Sequence, residues 1–159
     1  RSLFRLLALE AVHEYVTSAN IAELIVEGDI VFLCVDNHAT RKLVSDHAER
    51  LRNVILISGG NDRTDGNAQV FWRENGRNKT LPLASSIHLE IVNPADANPG
   101  DVNCTARAAS GEPQLLLANN AAATCMLNVF YAWLEGCLAY DEVYFDIRTG
   151  SVRTEKRPR

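Results

Sequence analysis

Residues 28–44 read "GDIVFLCVDNHATRKLV", and this stretch decides the fold because it joins a strand pattern to a helix pattern. Its first half is rich in β-branched and aromatic residues that do not alternate with polar ones, which is typical of a strand covered on both faces. Asn37 is predicted to cap a helix over residues 38–52. The following "VILIS" at residues 54–58 predicts a second buried strand. The stretch therefore predicts a right-handed strand–helix–strand unit with two parallel strands.

The rest of the chain predicts an antiparallel continuation of that sheet. Asn75-Gly76 is a strong hairpin signal after the alternating "NAQVFWREN" at residues 67–75. A helix from Gln114 to about Leu134 is apolar nearly all round and is predicted to be buried. Two strands should flank Thr149-Gly150. We therefore expect one α/β domain over residues 1–159, with a Rossmann-like, largely parallel sheet that continues into an antiparallel part and is flanked by helices.

The remaining segments give weaker patterns. We expect a helix over residues 2–11, a short strand over 12–16, and a helix over 20–28 that is capped by Asn20. Residues 86–92 should be extended, and residues 93–113, rich in proline and glycine, should form a loop.

Composition narrows the classes of partner. The chain has 159 residues, 47% of them hydrophobic, and a net charge of −4, which argues against nucleic acid or an anionic membrane as the main partner. No segment approaches the roughly 20 apolar residues that cross a bilayer.

The four cysteines form no Cys-x-x-Cys pair, so no zinc site is predicted, and a reduced cytoplasmic protein is expected. Cys34 and Cys125 are predicted to be small core residues.

Asp36 raises the functional question, because it ends a strand that is otherwise apolar. Ligands of open α/β sheets bind outside the carboxyl ends of the strands, where Asp36 is predicted to lie. A carboxylate at this place can hold a Mg²⁺ ion that bridges phosphate oxygens, and Arg41 could contact a phosphate or carboxylate. The alternative is that Asp36 and Asn37 only begin the next helix. The spacing alone leaves both interpretations open.

Three motifs in the same order resemble those of the ThiF/MoeB/E1 family, which activates ubiquitin-like proteins. The family has a buried strand ending in Asp-Asn-x-x-x-Arg, similar to Asp36, Asn37 and Arg41 here. The stretch "NCTARAASGEP" at residues 103–113, before the long helix, resembles the family's cysteine loop. The C-terminal "DIRTG" at residues 146–150 resembles its terminal hairpin.

The resemblance implies an adenylyltransferase that uses ATP and Mg²⁺. Its substrate would be the C-terminal carboxylate of a ubiquitin-like (ThiS/MoaD-type) protein or peptide, and the enzyme would be a homodimer. Asp36 would be catalytic and bind the metal, with Asn37 and Arg41 shaping the nucleotide pocket or the strand–helix turn. Cys104 would be a second catalytic residue that accepts the acyl group, its alternative being an inert loop cysteine.

The match also has a gap. No Gly-x-Gly-x-x-Gly pattern precedes Gly28, so we expect the C-terminal two-thirds of an E1-like domain, with the glycine-rich nucleotide loop upstream. Three alternatives stay open: a non-catalytic family member that binds a partner protein, a member that acts on a small molecule or a tRNA base, and an unrelated dinucleotide-binding domain. The hairpin and the cysteine loop argue against the last.

Overall fold

The structure, a computed structural model, describes residues 8–85, 87–96 and 115–158. The elements of these residues are, in chain order, α1 (Ile21–Leu24), β1 (Ile30–Leu33), α2 (His38–Ala48), β2 (Val54–Asn61), β3 (Asp65–Glu74), β4 (Arg77–Asn78), α3 (Leu89–Val92), α4 (Leu116–Leu134), β5 (Glu142–Asp146) and β6 (Ser151–Glu155). None of the described helices is long and apolar enough to span a membrane.

The sheet has the order β1-β2-β3-β5-β6, with the short β4 paired to β3. β1 and β2 are parallel, and every other pair is antiparallel. The α/β fold class is confirmed, with a parallel unit that continues into an antiparallel part. Within the described residues the parallel part is a single pair, so the sheet is less parallel than the sequence predicted.

Both faces of the sheet are covered around β2, which is buried over its first five residues, as predicted. Because side chains alternate along a strand, Val54 and Leu56 pack with α2 while Ile55 and Ile57 pack with α4. The sheet is thus the middle layer between short helices and one long helix. This arrangement leaves the carboxyl ends of β1 and β2 at one edge, where a site can form.

The β3–β4 hairpin turns at Asn75 and Gly76, as predicted. Their φ angles are +51° and +74°, which is the left-handed backbone that a two-residue hairpin turn requires at both positions. The pair of strands around Thr149-Gly150 is also confirmed, as β5 and β6. The helix cap at Asn37 is confirmed too, because its side chain accepts a hydrogen bond from the Thr40 N–H.

Two elements are more exposed than the sequence predicted. β1 was expected to be covered on both faces, but Ile30 and Phe32 keep 43% and 41% of their surface exposed. β1 lies at the edge of the described sheet, so it has a strand neighbour on one side. α4 was expected to be buried all round, yet Leu127 and Tyr131 are exposed. A single helix on a sheet buries one face, and apolar composition alone does not decide how many faces are covered.

Other local predictions were wrong. Residues 12–16 form no strand, residues 8–11 no helix, and the first helix is the single turn α1. The Asn20 side chain does not cap α1, because its Oδ1 instead accepts hydrogen bonds from Thr17. Residues 89–92, expected to be extended, form α3. Cys34 is exposed, whereas Cys125 is buried as predicted. The predicted loop over residues 93–113 lies largely outside the described residues.

Candidate functional site

A pocket of about 760 Å³ opens at the carboxyl ends of β1 and β2. It extends across the start of β3 to α3, α4 and β5. Polar side chains from these elements line it, among them Asp36, His38, Arg41, Asn61, Asp62, Asp65, Asn67, Gln69, His88, Glu90, Asn119 and Tyr144. Its position is the one expected for a ligand site of an open α/β sheet.

Asp36 stands at the mouth of this pocket. Its side chain is exposed and lines the cavity, and the next residue, Asn37, caps α2 with an Oδ1 that lies 2.6 Å from the Thr40 nitrogen. Asn37, and not Asp36, therefore caps the helix. Asp36 itself is exposed and lines the pocket, a position that is compatible with a ligand site.

The first N–H groups of α2 are already occupied by an anion from the chain itself. The carboxylate of Asp96 accepts hydrogen bonds from the backbone nitrogens of His38 and Ala39, at 2.5 and 3.1 Å. A carboxylate is favoured here because the helix N-terminus has free donors and a positive dipole end. The anion at this helix end is thus a side chain of the protein itself, from beyond α3.

Arg41 ties the ends of the two parallel strands together. Its Nη2 donates to the carbonyl oxygens of Val35 and Gly59, at 2.6 and 2.7 Å, and its Nη1 donates to the hydroxyl of Ser58. Burial lowers the pKa of the guanidinium, and the negative charge of Asp36 acts against that shift. The side chain is buried, so its best-supported role is to build the strand–helix turn that carries Asp36.

Two glycines at the end of β2 make room for this arrangement. A Cβ on Gly60 would lie 3.1 Å from the Arg41 Nη2, and a Cβ on Gly59 would lie 2.3 Å from the Met126 sulfur. Gly66, opposite them on β3, is tighter still, since a Cβ there would come within 2.3 Å of the Gly60 carbonyl oxygen. Of the three, Gly66 is the most constrained, because a side chain there would meet backbone, whereas Gly59 and Gly60 lie against the side chains of Met126 and Arg41.

A second charged group, Glu142 on β5, lies buried next to the pocket. The residue is 0% exposed. Its Oε1 accepts hydrogen bonds from the Asn67 Nδ2 at 2.6 Å and the Gln69 Nε2 at 3.2 Å. Its Oε2 lies 3.0 Å from the Nε2 of His88. A buried carboxylate must be surrounded by donors, and β3 and the residue before α3 supply them.

His88 is held between two carboxylates. Its Nε2 contacts Glu142, and its Nδ1 lies 3.0 Å from Oε1 of Glu90, a half-exposed residue at the pocket wall. Because a carboxylate only accepts hydrogen bonds, this geometry favours the imidazolium form, in which both ring nitrogens donate.

The pKa shifts in this cluster follow from its burial and its charges. Burial lowers the pKa of His88, but the hydrogen bonds and charges of Glu142 and Glu90 outweigh it, so the pKa is raised overall. Burial raises the pKa of Glu142, but its hydrogen bond to His88 and the imidazolium charge leave it lowered overall. Burial, together with the negative charge of Glu142, raises the pKa of Tyr144. These shifts favour the ion pair between His88 and Glu142 and the protonated form of Tyr144.

The structure brings three of the predicted site residues together. Asp36, Asn37 and Arg41 lie in one strand–helix turn, two of them lining the pocket. Cys104 lies outside the described residues, so its role stays a prediction. Within the described ranges, no three histidine, cysteine or carboxylate side chains come together to hold a metal ion.

Sequence analysis missed the cluster around Glu142. One signal was present: Glu142 and Tyr144 alternate with Val143 and Phe145, which pack against α4, so the strand has a polar face turned the other way. The partner His88 comes from a segment that was predicted to be extended. No local pattern connects the two.

Removing the Arg41 guanidinium should destabilise the fold. Arg41→Met leaves two carbonyl oxygens and the Ser58 hydroxyl without their donor, and we expect the free energy of unfolding to fall by about 3 kcal/mol. Arg41→Lys should lose less, because an ammonium group restores part of these bonds. Urea denaturation measures both. Arg50→Met, at an exposed arginine just after α2, is the control and should change stability by less than about 0.5 kcal/mol. Equal losses in Arg41→Met and Arg50→Met would contradict this role.

The His88 ion pair should make stability depend on pH. The raised pKa of His88 means that its contribution is fully present below its unfolded value of about 6.5 and is lost as pH rises through the folded pKa. The lowered pKa of Glu142 means that its contribution is present above about 4.5 and is lost as pH falls through its folded pKa.

We therefore expect the stability difference between the wild type and His88→Gln to be largest between about pH 4.5 and 6.5. It should decline above the folded pKa of His88. Denaturation at a series of pH values checks this, and Glu90→Gln, which removes the more exposed partner, should give a smaller difference. A difference that stays constant from acid to alkaline pH would show that no ion pair is involved.

The family model of the ThiF family matches residues 1–152 of the chain. A search of curated proteins finds no match.

Proposed function

The chain belongs to the ThiF family, within the E1-like adenylyltransferases, and from that premise we propose that it activates the C-terminal carboxylate of a ubiquitin-like protein or peptide with ATP. Enzymes of this family generally use ATP with Mg²⁺, act on ubiquitin-like C-termini and dimerise. For this chain the substrate, both cofactors, the homodimer and a cytoplasmic location are parts of the proposal.

The observation that supports it best is the position of Asp36. The residue is exposed at the mouth of a pocket of about 760 Å³, at the carboxyl end of β1. Asn37 caps α2, so the Asp36 side chain is not needed for capping. Arg41 binds backbone carbonyl oxygens at the ends of β1 and β2, which holds the turn that carries Asp36 in position. A carboxylate fixed at a ligand pocket is what such a reaction needs for positioning.

The proposed reaction requires no proton transfer at the attacking group. An oxygen of the ionised carboxylate forms a bond to the α-phosphorus of ATP, and the bond from that phosphorus to the bridging oxygen of pyrophosphate breaks. The products are an acyl-adenylate and pyrophosphate. Since two anions must meet, catalysis consists mainly of positioning and neutralisation of charge.

The residues present fit a magnesium ion of the kind that is shared with substrate. Mg²⁺ is commonly held by one or two carboxylates together with phosphate oxygens and water, so a cage of three protein ligands is not needed. Asp36 would hold it, and Asn37 and Arg41 would shape the nucleotide pocket around it. The ion, when bound, supplies positive charge to the phosphates.

One observation favours a second candidate, a family member without catalysis that binds a partner protein. Among the described residues that line the pocket, four are acidic and one is an arginine. That arginine, Arg41, uses its Nη2 on the protein backbone. A triphosphate would need further cations besides Mg²⁺.

A family member that acts on a small molecule or a tRNA base would instead show ATP–pyrophosphate exchange without a peptide.

Exchange of pyrophosphate into ATP separates these candidates. In the natural full-length protein, Asp36→Ala should lower the rate of peptide-dependent ATP–pyrophosphate exchange by about 100-fold, because the carboxylate that organises the phosphates is lost. Asp46→Ala is the matched control, since Asp46 pairs with Lys42 on α2 and does not line the pocket. Undiminished exchange in Asp36→Ala would remove Asp36 from the mechanism. No exchange in the wild type would favour the binding protein.

Cys104 would act in a second step, in which its thiolate attacks the acyl carbonyl and AMP leaves. A fluorescent peptide ending in Gly-Gly, incubated with ATP and the full-length protein, should give an adduct on a non-reducing gel that disappears with a reducing thiol. Cys104→Ser should abolish the adduct and retain exchange, while Cys137→Ser, at an exposed cysteine, should retain both. An adduct that persists in Cys104→Ser would assign the thiol elsewhere.

A further inference from the structure

The ring of His88 joins a single-turn helix to the sheet. His88 and Glu90 both line the pocket, and we call these two residues the α3 wall. The Nε2 of the ring contacts Glu142 on β5, and its Nδ1 contacts Glu90 on α3. A protonated imidazole donates from both nitrogens, whereas a neutral one donates from one nitrogen and accepts at the other. Both carboxylates can therefore receive a hydrogen bond only while the ring carries its extra proton.

The two carboxylates differ in what they lose when the ring becomes neutral. Glu142 is 0% exposed, so water does not replace a missing donor there. The Nε2 of His88 lies 2.9 Å from its Oε1 and 3.0 Å from its Oε2, within reach of both oxygens. Glu90 keeps half of its side chain exposed and can turn toward solvent, where water supplies donors. We therefore expect the proton that remains on the ring to lie on Nε2, facing the buried carboxylate.

Other charged and titratable groups act on the two partners of the ring. On β5, the hydroxyl of Tyr144 hydrogen-bonds with Glu142, and after β6 the buried guanidinium of Arg157 interacts favourably with the same carboxylate. The two amide donors from β3 also stay in contact with Glu142 when the ring is neutral. On the other side, the charge of His38 at the start of α2 favours the ionised form of Glu90.

We propose that His88 is a proton-operated clamp on the α3 wall of the pocket. With its extra proton, the ring binds Glu142 and Glu90 together and so ties α3 to β5. When Nδ1 loses that proton to solvent, the ring keeps its hydrogen bond to Glu142. Its Nδ1 lone pair then faces the carboxylate of Glu90, which is repelled and turns into solvent. The clamp needs neither nucleotide nor peptide, so it is independent of the proposed function.

The direction of the pH dependence follows from the contacts. The hydrogen bonds and charges of Glu142 and Glu90 outweigh burial and raise the pKa of His88. The pKa of Glu90 is lowered, so this carboxyl is already ionised where the ring begins to lose its proton. The clamp is therefore closed below the raised pKa of His88 and opens as pH rises through it.

Nuclear magnetic resonance of the full-length protein, labelled with ¹³C and ¹⁵N, tests the clamp directly. The carboxyl shift of Glu90 should change a second time, well above its own ionisation, with the midpoint at which the ring of His88 titrates. The ring nitrogen shifts should show the neutral ring protonated on Nε2 in at least about 90% of molecules, because the other tautomer leaves a buried carboxylate without its donor.

Three variants separate the clamp from other titrations. His88→Gln should abolish the second change at Glu90, because glutamine does not titrate, and His38→Gln should retain it. Glu74 is the matched control within the same protein, since its side chain is 46% exposed and pairs with Lys79 outside the pocket. Its carboxyl shift should not change at the midpoint of His88. The third variant, Glu90→Gln, leaves the buried pair of His88 and Glu142 in place.

The amide of Glu90→Gln can flip, so it can accept from a protonated ring or donate to a neutral one, and its contact should not depend on pH. The N–H groups of Ile91 and Val92, both bonded to the His88 carbonyl oxygen, report on the turn. Their hydrogen-exchange rates in the wild type, divided by those in Glu90→Gln at the same pH, should rise at least about threefold across the midpoint.

Four results overturn the proposal. They are a Glu90 carboxyl that does not respond to the ring, a response that persists in His88→Gln or disappears in His38→Gln, a neutral ring protonated on Nδ1, and an exchange ratio that stays constant with pH. The ratio keeps the clamp testable even where His88→Gln does not fold, because Glu90→Gln changes a half-exposed side chain.

Discussion

A carboxylate that is removed from water must be surrounded by hydrogen-bond donors, and much of the polar organisation of this protein follows from that requirement at Glu142. Its donors come from β3 and from His88, the residue before α3. Residues remote in sequence are thereby fixed against each other. The same contacts orient the amides of Asn67 and Gln69 and favour the charged form of His88. One buried charge thus determines both the rigidity and the chemical character of a pocket wall.

Two buried charges beside the pocket are satisfied in opposite ways. The cation, Arg41, is held by the carbonyl oxygens of Val35 and Gly59, and the exposed Asp36 is carried on the turn that it stabilises. The anion, Glu142, is held by side-chain donors that include the amide nitrogens of Asn67 and Gln69, and the oxygen of Gln69 is left without a donor among the described residues.

The sequence was informative where a structure depends on neighbouring residues. "DIVFLCV", Asn37 and "VILIS" predicted the parallel unit and its cap, and Asn75-Gly76 predicted a turn whose backbone angles require such residues. The sequence-based prediction of burial was wrong where burial depends on which distant elements pack against a face. Phe32 and Tyr131 were expected to be buried, yet both lie on exposed faces. It placed Asp36 at a strand end for a physical reason, but the Glu142 cluster joins segments more than fifty residues apart.

The hydrogen bonds from the start of α2 to Asp96 have a consequence for the affinity of any anion at that helix end. The protein's own side chain is present there at a high effective concentration, as a tethered group is. A phosphate or carboxylate that uses the same N–H groups of His38 and Ala39 must first displace it. The observed affinity is then the intrinsic one reduced by the fraction of molecules in which the helix end is open. Tethered competition of this kind favours ligands that are bound by several groups at once over simple anions.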